Sequence, residues 1–403
     1  MKVLFAVPYI YSKNYPEFTK NPTGFGMLVA QIFEHVSNKN DVYLISHVLT
    51  KGHGNILPHT IGDVLRHVRF RDILQGMNWA IHYKQGLKGR IKFFYYCLNK
   101  GYIRYIINKL KPDIVHLHSI GLLNKVFREV CEELGQRYVI TLHGLIGLDD
   151  SVCAPQWDKT HEKEVLQYCE EQNIPVTVIS TGIKKRIEKH YLKDASRSIT
   201  VVTNGTQVTP IEGELHGDLR REYHIPEGVK IAVAIGNISV NKNQIQIVDA
   251  VAALLEKRED LFVFLCGKDT IGGKVRERID ACGLGSHIFE LGFVPYERLG
   301  NIYKQADFNI LASINDGFGL SIVEAFVYGL PTVTFGDLDA VPDLYNEKAM
   351  LLCEGRSTEA LSAAIEKAMD TRWDAESIRA YSKNFSLEKM AENYQRVYEQ
   401  IVR

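Results

Sequence analysis

The residues best suited to chemistry lie in one stretch of the second half of the chain, DFNILASINDGFGLSIVEAFVYGLPTVTF, at 307–335. A buried strand is predicted to end near Leu311, and the sequence GFG at 317–319 then precedes a helix that runs to about Tyr328. Glycines just before a helix let a phosphate approach the free N–H groups of its first turn, where the helix dipole favours negative charge. The segment therefore predicts an anion-binding site.

Two carboxylates flank these glycines. Asp316 comes directly before them, and Glu324 lies one turn beyond Leu320 on roughly the same side of the helix. A carboxylate at Glu324 can accept both hydroxyls of a ribose, and Asp316 points toward whatever the phosphate carries. Taken singly, each acid is better explained as structural, a helix cap at Asp316 and a surface residue at Glu324. Their spacing around the glycines favours a binding site.

The pattern D-x7-E around GFG, followed by EAxxxGxP, resembles the retaining glycosyltransferases of family 4, whose signature is E-x7-E around an FG dipeptide. The resemblance covers nearly the whole chain and is weakest over 49–111. By this likeness Glu324 binds the nucleotide ribose and Asp316 contacts the donor sugar. The implied donor site also includes Phe318, Gly319 and Leu320. The family has glutamate at the position of Asp316, so this chain departs from the pattern and the choice of donor stays open.

Two further segments extend the resemblance. IGNISVNK, which ends at Lys242, resembles a G-R-x-x-x-x-K loop whose arginine and lysine stabilise the leaving diphosphate in the family. Asn237 takes the place of that arginine, and an amide donates hydrogen bonds but carries no charge. Lys268 is a candidate for the missing charge. Val294, in FELGFVP at 289–295, matches the stretch whose backbone reads the nucleotide base in the family.

In the first half of the chain, candidate residues follow predicted strands. The sequence TGFG, which ends at Gly26, resembles the glycine loop by which the family lets acceptor and donor phosphate approach, although Phe25 separates glycines that are usually adjacent. His143 ends a strand and matches a histidine that contacts the donor sugar and binds no metal in the family; a structural histidine is the alternative. His116 is predicted to be a core residue and His118 a weaker candidate on the acceptor side.

Short apolar runs alternate with helix-period segments, which predicts an α/β protein with parallel sheets. Strands are predicted at 3–7, 42–45, 114–117, 138–142, 176–179, 198–202, 231–235, 261–266, 288–291, 308–311 and 332–335. The family resemblance implies the GT-B fold, two Rossmann-like lobes that face a central cleft. We predict an acceptor-binding lobe at 1–205 and a nucleotide-sugar-binding lobe at 206–384, with a linker at 206–228. A C-terminal helix at 385–403 is expected to cross back to the first lobe.

Composition excludes several classes of protein. The formal net charge is zero, so the whole molecule has no bulk attraction for nucleic acid or membranes. Seven cysteines, an odd number without a CxxC pair, argue against a disulfide framework and a cysteine zinc site and favour the cytoplasm. The N-terminus is predicted to be a buried strand and not a signal peptide. The triplet DLD at 337–339 spells a metal motif of another fold, but it follows a strand of the second lobe, so we predict loop residues and no metal or other cofactor.

One stretch departs from the neutral average. Asp72 and Asp113 enclose 40 residues without an acid, which include eight lysines and arginines interleaved with eight aromatic residues. Such a mixture suits contact with anionic lipid headgroups, here through 79–111 at the inner face of the membrane. A solvated helix face whose aromatic residues pack inward explains the composition equally well. Nothing resembles a nucleic-acid module, so no nucleic-acid partner is predicted.

The function predicted from these features is transfer of a sugar from a nucleotide-sugar to a glycan, a lipid-linked acceptor or a small molecule. UDP is expected as the nucleotide because it is the commonest among family members. One alternative is a catalytically silent partner of another transferase, which the departures at Asp316 and Asn237 motivate. Another is a non-hydrolysing nucleotide-sugar epimerase, although the carboxylate–histidine arrangements expected of one are not found.

Overall fold

The computed structural model describes residues 1–12, 14–15, 18, 23–82, 86–148, 156–192, 199–210 and 217–403. Some residues singled out from the sequence lie outside this part: Tyr83, Lys84, Cys153, Ser198 and 211–216 of the predicted linker. Contacts divide the chain into two compact units. The first comprises 1–179, 183–202 and 387–403, and the second comprises 180–182 and 203–386.

Each unit is built on one six-stranded sheet in which every pairing is parallel. The strands are β1 Lys2–Val7, β2 Asp41–Ser46, β3 Ile114–His118, β4 Tyr138–Leu142, β5 Val176–Val178, β6 Ile199–Val201, β7 Lys230–Ile235, β8 Leu261–Cys266, β9 Ile288–Gly292, β10 Phe308–Leu311, β11 Thr332–Phe335 and β12 Met350–Cys353. The spatial orders are β2-β1-β3-β4-β5-β6 and β12-β11-β10-β7-β8-β9. These sheets confirm the predicted α/β class.

Helices connect the strands and cover the sheets. They are α1 Gly24–Ser37, α2 Ile61–His67, α3 Phe70–His82, α4 Leu87–Leu110, α5 Leu122–Leu134, α6 Gln156–Glu171, α7 Thr181–His190, α8 Leu219–Glu222, α9 Gln244–Leu255, α10 Lys274–Ala281, α11 Tyr296–Gln305, α12 Leu320–Val327, α13 Val341–Leu344, α14 Thr358–Asp370, α15 Ala375–Ser382 and α16 Leu387–Val402. None of these helices is both long and apolar enough to cross a lipid bilayer in the part of the chain that is described.

The last strand, β12, was not predicted from the sequence. It forms the edge of the second sheet beside β11, and its middle residues Leu351 and Leu352 are only half-buried. Its run of four residues contains no β-branched side chain, so the periodicity and composition that mark the other strands are missing.

The C-terminal helix α16 is part of the first unit. Its apolar stripe, which includes Met390, Tyr394 and Val397, is buried in one core with α1 and the strands of the first sheet. Its Tyr398 hydroxyl lies 2.7 Å from Nδ1 of His116 on β3. The packing explains why α16 has apolar residues at spacings of three and four, since that stripe has a core to fill.

A buried ion network ties α3, α4 and α5 together. The guanidinium of Arg104 on α4 is 3% exposed and donates to both oxygens of Asp72 on α3, at 2.9 and 2.7 Å, and Asp72 is fully buried. Nε of Arg104 donates to Glu133 on α5 at 2.9 Å. Lys100, 1% exposed, pairs with Glu129 and Glu133 at 2.6 and 3.3 Å. Each buried charge therefore has an opposite charge beside it, which is the condition for burying charges at all.

Replacement of Asp72 with asparagine is expected to destabilise the first unit by about 3 kcal/mol, because it leaves the buried Arg104 guanidinium without its closest negative charge. Asp370→Asn is the matched control, since Asp370 pairs with Arg258 while its own side chain is 61% exposed. That change should cost less than about 1 kcal/mol. Urea denaturation of both variants measures the difference, and equal losses would contradict the structural importance of the buried network.

Candidate functional site

The candidate residues of the second unit gather where its strand order reverses. β7 and β10 are neighbours in the sheet, but the chain leaves β7 toward β8 and leaves β10 toward β11. The loops that follow two such strands diverge and leave a crevice at their carboxyl ends, where doubly wound sheets bind their ligands. One loop spans 236–243 and leads into α9, and the other spans 312–319 and leads into α12.

Asn241 fastens these two loops to each other. Its side-chain amide donates to the carbonyl of Asn315 at 2.9 Å, and its side-chain oxygen accepts the Asn315 N–H at 3.0 Å. Its own carbonyl accepts the N–H of Ile314 at 2.7 Å. The role of Asn241 was not predicted from the sequence. The residue lies next to Lys242 in IGNISVNK, a segment noted for its likeness to a diphosphate-binding loop.

The loop after β7 is shaped so that the Lys242 side chain crosses it. Gly236 has φ of 144°, and a Cβ placed there would lie 3.4 Å from Cε of Lys242, so the lysine stem passes over the glycine. Gln244, which is 3% exposed, holds the turn from inside. It accepts the N–H of Ser239 and donates to the carbonyl of Asn237, both at 3.2 Å. The loop thus directs Lys242 toward the neighbouring loop.

Lys242 and Asp316 form an ion pair across the crevice. Nζ of Lys242 lies 2.5 Å from Oδ2 of Asp316, and the two side chains are 27% and 13% exposed. The second oxygen, Oδ1, accepts the N–H of Gly319 at 2.6 Å and of Phe318 at 3.3 Å. Burial acts to raise the pKa of Asp316, but Lys242 and these two amides outweigh it and keep the pKa below its ordinary value. The carboxylate is therefore held ionised at the start of α12.

Glu324, the second carboxylate of the pattern, projects from the next turn of α12. It is half-buried, and the hydroxyl of Tyr303 on α11 donates to its Oε2 at 3.2 Å. Burial raises the pKa of Glu324 to about 7, while the Tyr303 hydrogen bond and the charge of Lys242 partly offset that effect. A small depression adjoins it, lined in part by Gln207, Tyr296 and Tyr328. The contact between Tyr303 and Glu324 was not predicted from the sequence, because a single tyrosine in a helix gives no indication of the residue that it contacts.

The remaining predicted donor residues lie around this centre in different environments. Phe318 and Val294 are buried, at 2% and 6% exposure, and Leu320 is half-buried. Asn237 is exposed at the end of β7. Lys268, the candidate for a substitute charge, is also exposed, and its carbonyl accepts the N–H of Ile238 at 3.0 Å. The structure thus joins Lys242, Asp316 and the α12 N-terminus directly and leaves Asn237 and Lys268 open to solvent.

In the first unit, the candidate His143 pairs with His118. Nδ1 of His118 lies 3.0 Å from Nε2 of His143, and the two rings are stacked. Burial lowers the pKa of His143 to about 3 and holds that of His118 well below its ordinary value, so both imidazoles are neutral. Their outer nitrogens, Nε2 of His118 and Nδ1 of His143, have no hydrogen-bond partner among the described residues. His143 can therefore offer one neutral hydrogen-bonding nitrogen to a ligand.

The glycine segment of the first unit was predicted to be a loop before a helix. In the structure it forms the first turn of α1. Thr23 caps this helix and accepts the N–H of Gly26 at 3.1 Å. A Cβ on Gly26 would lie 3.0 Å from the backbone nitrogen of Tyr11, so close packing explains the glycine. Phe25 meets the ring of His143 edge-on at 5.0 Å. The side chain that breaks up the expected glycine pair thus packs against the candidate histidine.

The triplet at 337–339 takes part in an ion pair and in loop structure. Asp337 pairs with Arg356 at 2.7 Å. Within the described ranges, no cluster of three or more histidine, cysteine, aspartate or glutamate side chains could hold a metal ion.

Glu324 gives the stability of the second unit a pH dependence with a definite sign. Because its pKa in the folded protein lies above that of the unfolded chain, the folded state holds the extra proton between pH 4.5 and about 7. Stability should therefore fall as pH rises through this window, by roughly 2 kcal/mol relative to Glu324→Gln. Urea denaturation at pH 5 and pH 8 measures it. The same comparison with Glu347→Gln, at an exposed site, should show no such trend; a similar trend in both pairs would contradict the assignment to Glu324.

Comparison with known proteins identifies the second unit. Residues 217–385 match the family described as "Glycosyl transferases group 1". A D-inositol 3-phosphate glycosyltransferase of Corynebacterium urealyticum is 28% identical over 64% of this chain and 63% of its own length. The match therefore spans less than two thirds of that relative.

Solved structures share the architecture of the whole chain. A glycosyltransferase from Rickettsia africae superposes with a TM-score of 0.71 at 18% identity, over 100% of this chain and 98% of that one. An Anabaena protein whose structure was solved in complex with UDP and glucose gives 0.67 at 14% identity, over 99% and 100%. These likenesses confirm the predicted fold, and the match of residues 217–385 agrees with the family resemblance. The chain thus has the GT-B fold, and residues 217–385 of its second unit match the glycosyl transferases group 1 family.

Proposed function

We propose that the protein is a retaining, metal-independent glycosyltransferase that moves a sugar, a hexose in our assignment, from a UDP-linked donor to a glycan, lipid-linked or small-molecule acceptor. The observation that carries the proposal is the arrangement of Lys242, Asp316, Glu324 and the α12 N-terminus at the switch point of the second sheet. The names of the relatives and of the structural neighbours agree with it. The binding of UDP and glucose is described for one of those neighbours.

The nucleotide part of the donor fits two neighbouring features of α12, the Glu324 carboxyl group and the helix N-terminus. Glu324 can accept hydrogen bonds from ribose hydroxyls. The diphosphate belongs at the α12 N-terminus, where the helix dipole and Lys242 both favour negative charge. A lysine ammonium has three donors. One of them is used by Asp316, so two remain for phosphate oxygens.

The same residues suit the chemical step. The bond between the anomeric carbon and the diphosphate oxygen breaks, and its electron pair leaves with the diphosphate. Lys242 stabilises that developing negative charge. Asp316, held ionised, can stabilise the positive charge that develops on the sugar. The acceptor oxygen forms the new bond on the face that the diphosphate leaves, and its proton passes to the departing phosphate. The family resemblance alone assigns His143, in the first unit, to a contact with the sugar, and its imidazole is neutral.

A catalytically silent nucleotide-binding partner is the second candidate, and one observation favours it. The Asp316 carboxylate is occupied by Lys242 and by the amides of Gly319 and Phe318, and it is one methylene shorter than the glutamate usual in the family. Asn237 adds no charge where the family has arginine. A protein with these substitutions could retain the nucleotide site while losing transfer.

Calorimetric titration with UDP, GDP and ADP, without added metal, tests the donor site. We expect one nucleotide to bind with micromolar affinity and Glu324→Ala to weaken it by about 10- to 100-fold, because the hydrogen bonds between the carboxyl group and the ribose are lost. Glu347→Ala, which removes an exposed carboxylate of the same unit, should bind like the wild type. Equal affinities for all three proteins would remove Glu324 from the site, and no binding of any nucleotide would contradict the proposed donor class.

Release of the nucleoside diphosphate from nucleotide-sugars distinguishes the two candidates. Turnover by the wild-type chain, with the anomeric configuration of the donor kept in the product, supports the retaining transferase. Tight nucleotide binding without turnover of any donor, across lipid-linked and glycan acceptors, would support the silent partner.

A further inference from the structure

Exposed apolar side chains concentrate in one segment of the first unit. Large apolar residues that are well exposed number seventeen in the described part of the chain, and eight of them lie between residues 61 and 91. These eight are Ile61, Leu65, Phe70, Leu74, Met77, Ile81, Leu87 and Ile91. The second unit, although similar in size, has four. Single exposed apolar residues need no explanation, but a cluster of this kind indicates a surface that another phase or molecule covers.

Four of these residues form one stripe along α3. Phe70, Leu74, Met77 and Ile81 follow one another at spacings of four, three and four, which places them within about 60° of one another around the helix. Their exposed fractions are 74%, 51%, 51% and 67%. The opposite side carries the fully buried Asp72 and the buried Gly76, by which α3 packs on α4. We call the stripe the α3 apolar face.

The first turn of α4 continues the pattern. Leu87 and Ile91, one turn apart, are 74% and 60% exposed. Leu65 on α2 is 60% exposed. Since α2 and α3 both pack on α4, the exposed apolar residues belong to one group of helices held together by buried contacts.

Every exposed charge on this group of helices is positive. Among the described residues from 64 to 92, the exposed charged ones are Arg66, Arg69, Arg71, Lys88, Arg90 and Lys92. The single acid of that stretch in the printed sequence, Asp72, is fully buried and neutralised by Arg104. The outer surface therefore combines exposed apolar side chains with cations. Arg71 is paired with Glu133 of α5 at 3.0 Å, and α2 contributes one acid, the half-buried Asp63.

The aromatic residues that suggested a membrane contact from the sequence do not form this surface. Phe93 and Tyr102 are buried, at 5% and 3% exposure. Trp79 is half-buried beneath the ammonium groups of Lys100 and Lys125, at 5.5 and 4.5 Å from its ring. Among the described aromatic residues at 79–111, Tyr105 is exposed and the others are buried or half-buried, which favours the inward packing that the sequence left open as the alternative. Aliphatic residues and Phe70, farther toward the N-terminus, supply the exposed apolar area.

We propose that the α3 apolar face, together with the first turn of α4, docks the protein onto an anionic lipid bilayer. In this arrangement α3 lies in the plane of the headgroups, with Phe70, Leu74, Met77 and Ile81 toward the acyl chains and the flanking cations among the lipid phosphates. The proposal extends the proposed function, since it places the protein where lipid-linked acceptors are found. The biological role of the surface rests on that function, whereas the surface itself is argued from the exposed residues.

Charge complementarity selects a bilayer over a second copy of the chain. A symmetric dimer through the α3 apolar face would bring the flanking cations of both copies together, and like charges at an interface oppose association. Anionic headgroups neutralise the same cations. The face also lacks the series of exposed aromatic rings on which single-stranded nucleic acid stacks, since Phe70 is its single aromatic residue.

Flotation of the full chain with vesicles tests the proposal. The wild type should bind vesicles of phosphatidylcholine that contain phosphatidylglycerol, bind phosphatidylcholine alone much more weakly, and dissociate as salt is raised. Met77→Ser with Ile81→Ser should reduce binding to the anionic vesicles by about tenfold through loss of apolar contact. Lys88→Glu with Arg90→Glu should reduce it at least as strongly and remove the salt dependence.

Matched controls come from exposed sites of the second unit. Tyr345→Ser removes an apolar side chain that is 49% exposed, and Lys257→Glu with Lys348→Glu reverses two exposed cations. These variants should float like the wild type. Circular dichroism and nucleotide titration of each variant report on folding, and Ile81→Ser alone, with a smaller loss of binding, serves if the double variant unfolds.

Three results would overturn the proposal. One is equal vesicle binding by the wild type and both α3–α4 variants. Another is equal wild-type binding to neutral and anionic vesicles. The third is a dimer, seen by light scattering, that the Met77→Ser, Ile81→Ser variant abolishes while the wild type ignores vesicles. Vesicle binding without nucleotide binding would contradict the proposed function and leave the docking surface standing.

Discussion

The candidate donor site depends on the ion pair between Lys242 and Asp316. It joins the loop after β7 to the loop after β10, the two strands between which the second sheet reverses its order. The carboxylate has two functions at once, since it neutralises the lysine and caps the amides before α12. Its partners keep it ionised despite burial. Of the side chains described above, Asn241 is the other one that links these two loops, through its hydrogen bonds to Asn315.

This arrangement gives the substitution of aspartate for glutamate a physical consequence. The shorter side chain satisfies the cap and the ammonium from one position. A bound diphosphate would share Lys242 with Asp316, so donor binding and the state of the aspartate are coupled. Glu324 lies in the opposite electrostatic situation, where burial favours the protonated form. The site thus contains two carboxyl groups whose pKa values are shifted in opposite directions, an arrangement that is common where charge is handled in catalysis.

Most of the framework could be predicted from the sequence. The strands β4, β8, β10 and β11 have the predicted bounds, and α16 lies within the predicted 385–403, because buried parallel strands and an amphipathic helix leave strong periodic signals. β12 left no such signal. The pattern around GFG also located Asp316 and Glu324. The contacts of Asn241 and Tyr303 could not be predicted, because each depends on tertiary distances between separate segments of the chain. Those of Gln244 lie within one loop, whose shape the sequence pattern does not determine. Likewise, composition drew attention to 79–111, but periodicity within α3 decides which side chains are exposed.

The most direct test of this account is amide hydrogen exchange with and without UDP, followed by mass spectrometry. If the diphosphate binds at the start of α12 and the ribose at Glu324, peptides that cover 312–328 should exchange more slowly with the nucleotide present. Peptides from β12 should be unchanged, since this strand lies at the edge of the same sheet. Unchanged exchange at 312–328 under saturating UDP, or protection confined to other segments, would contradict the claim that this switch point is the donor site.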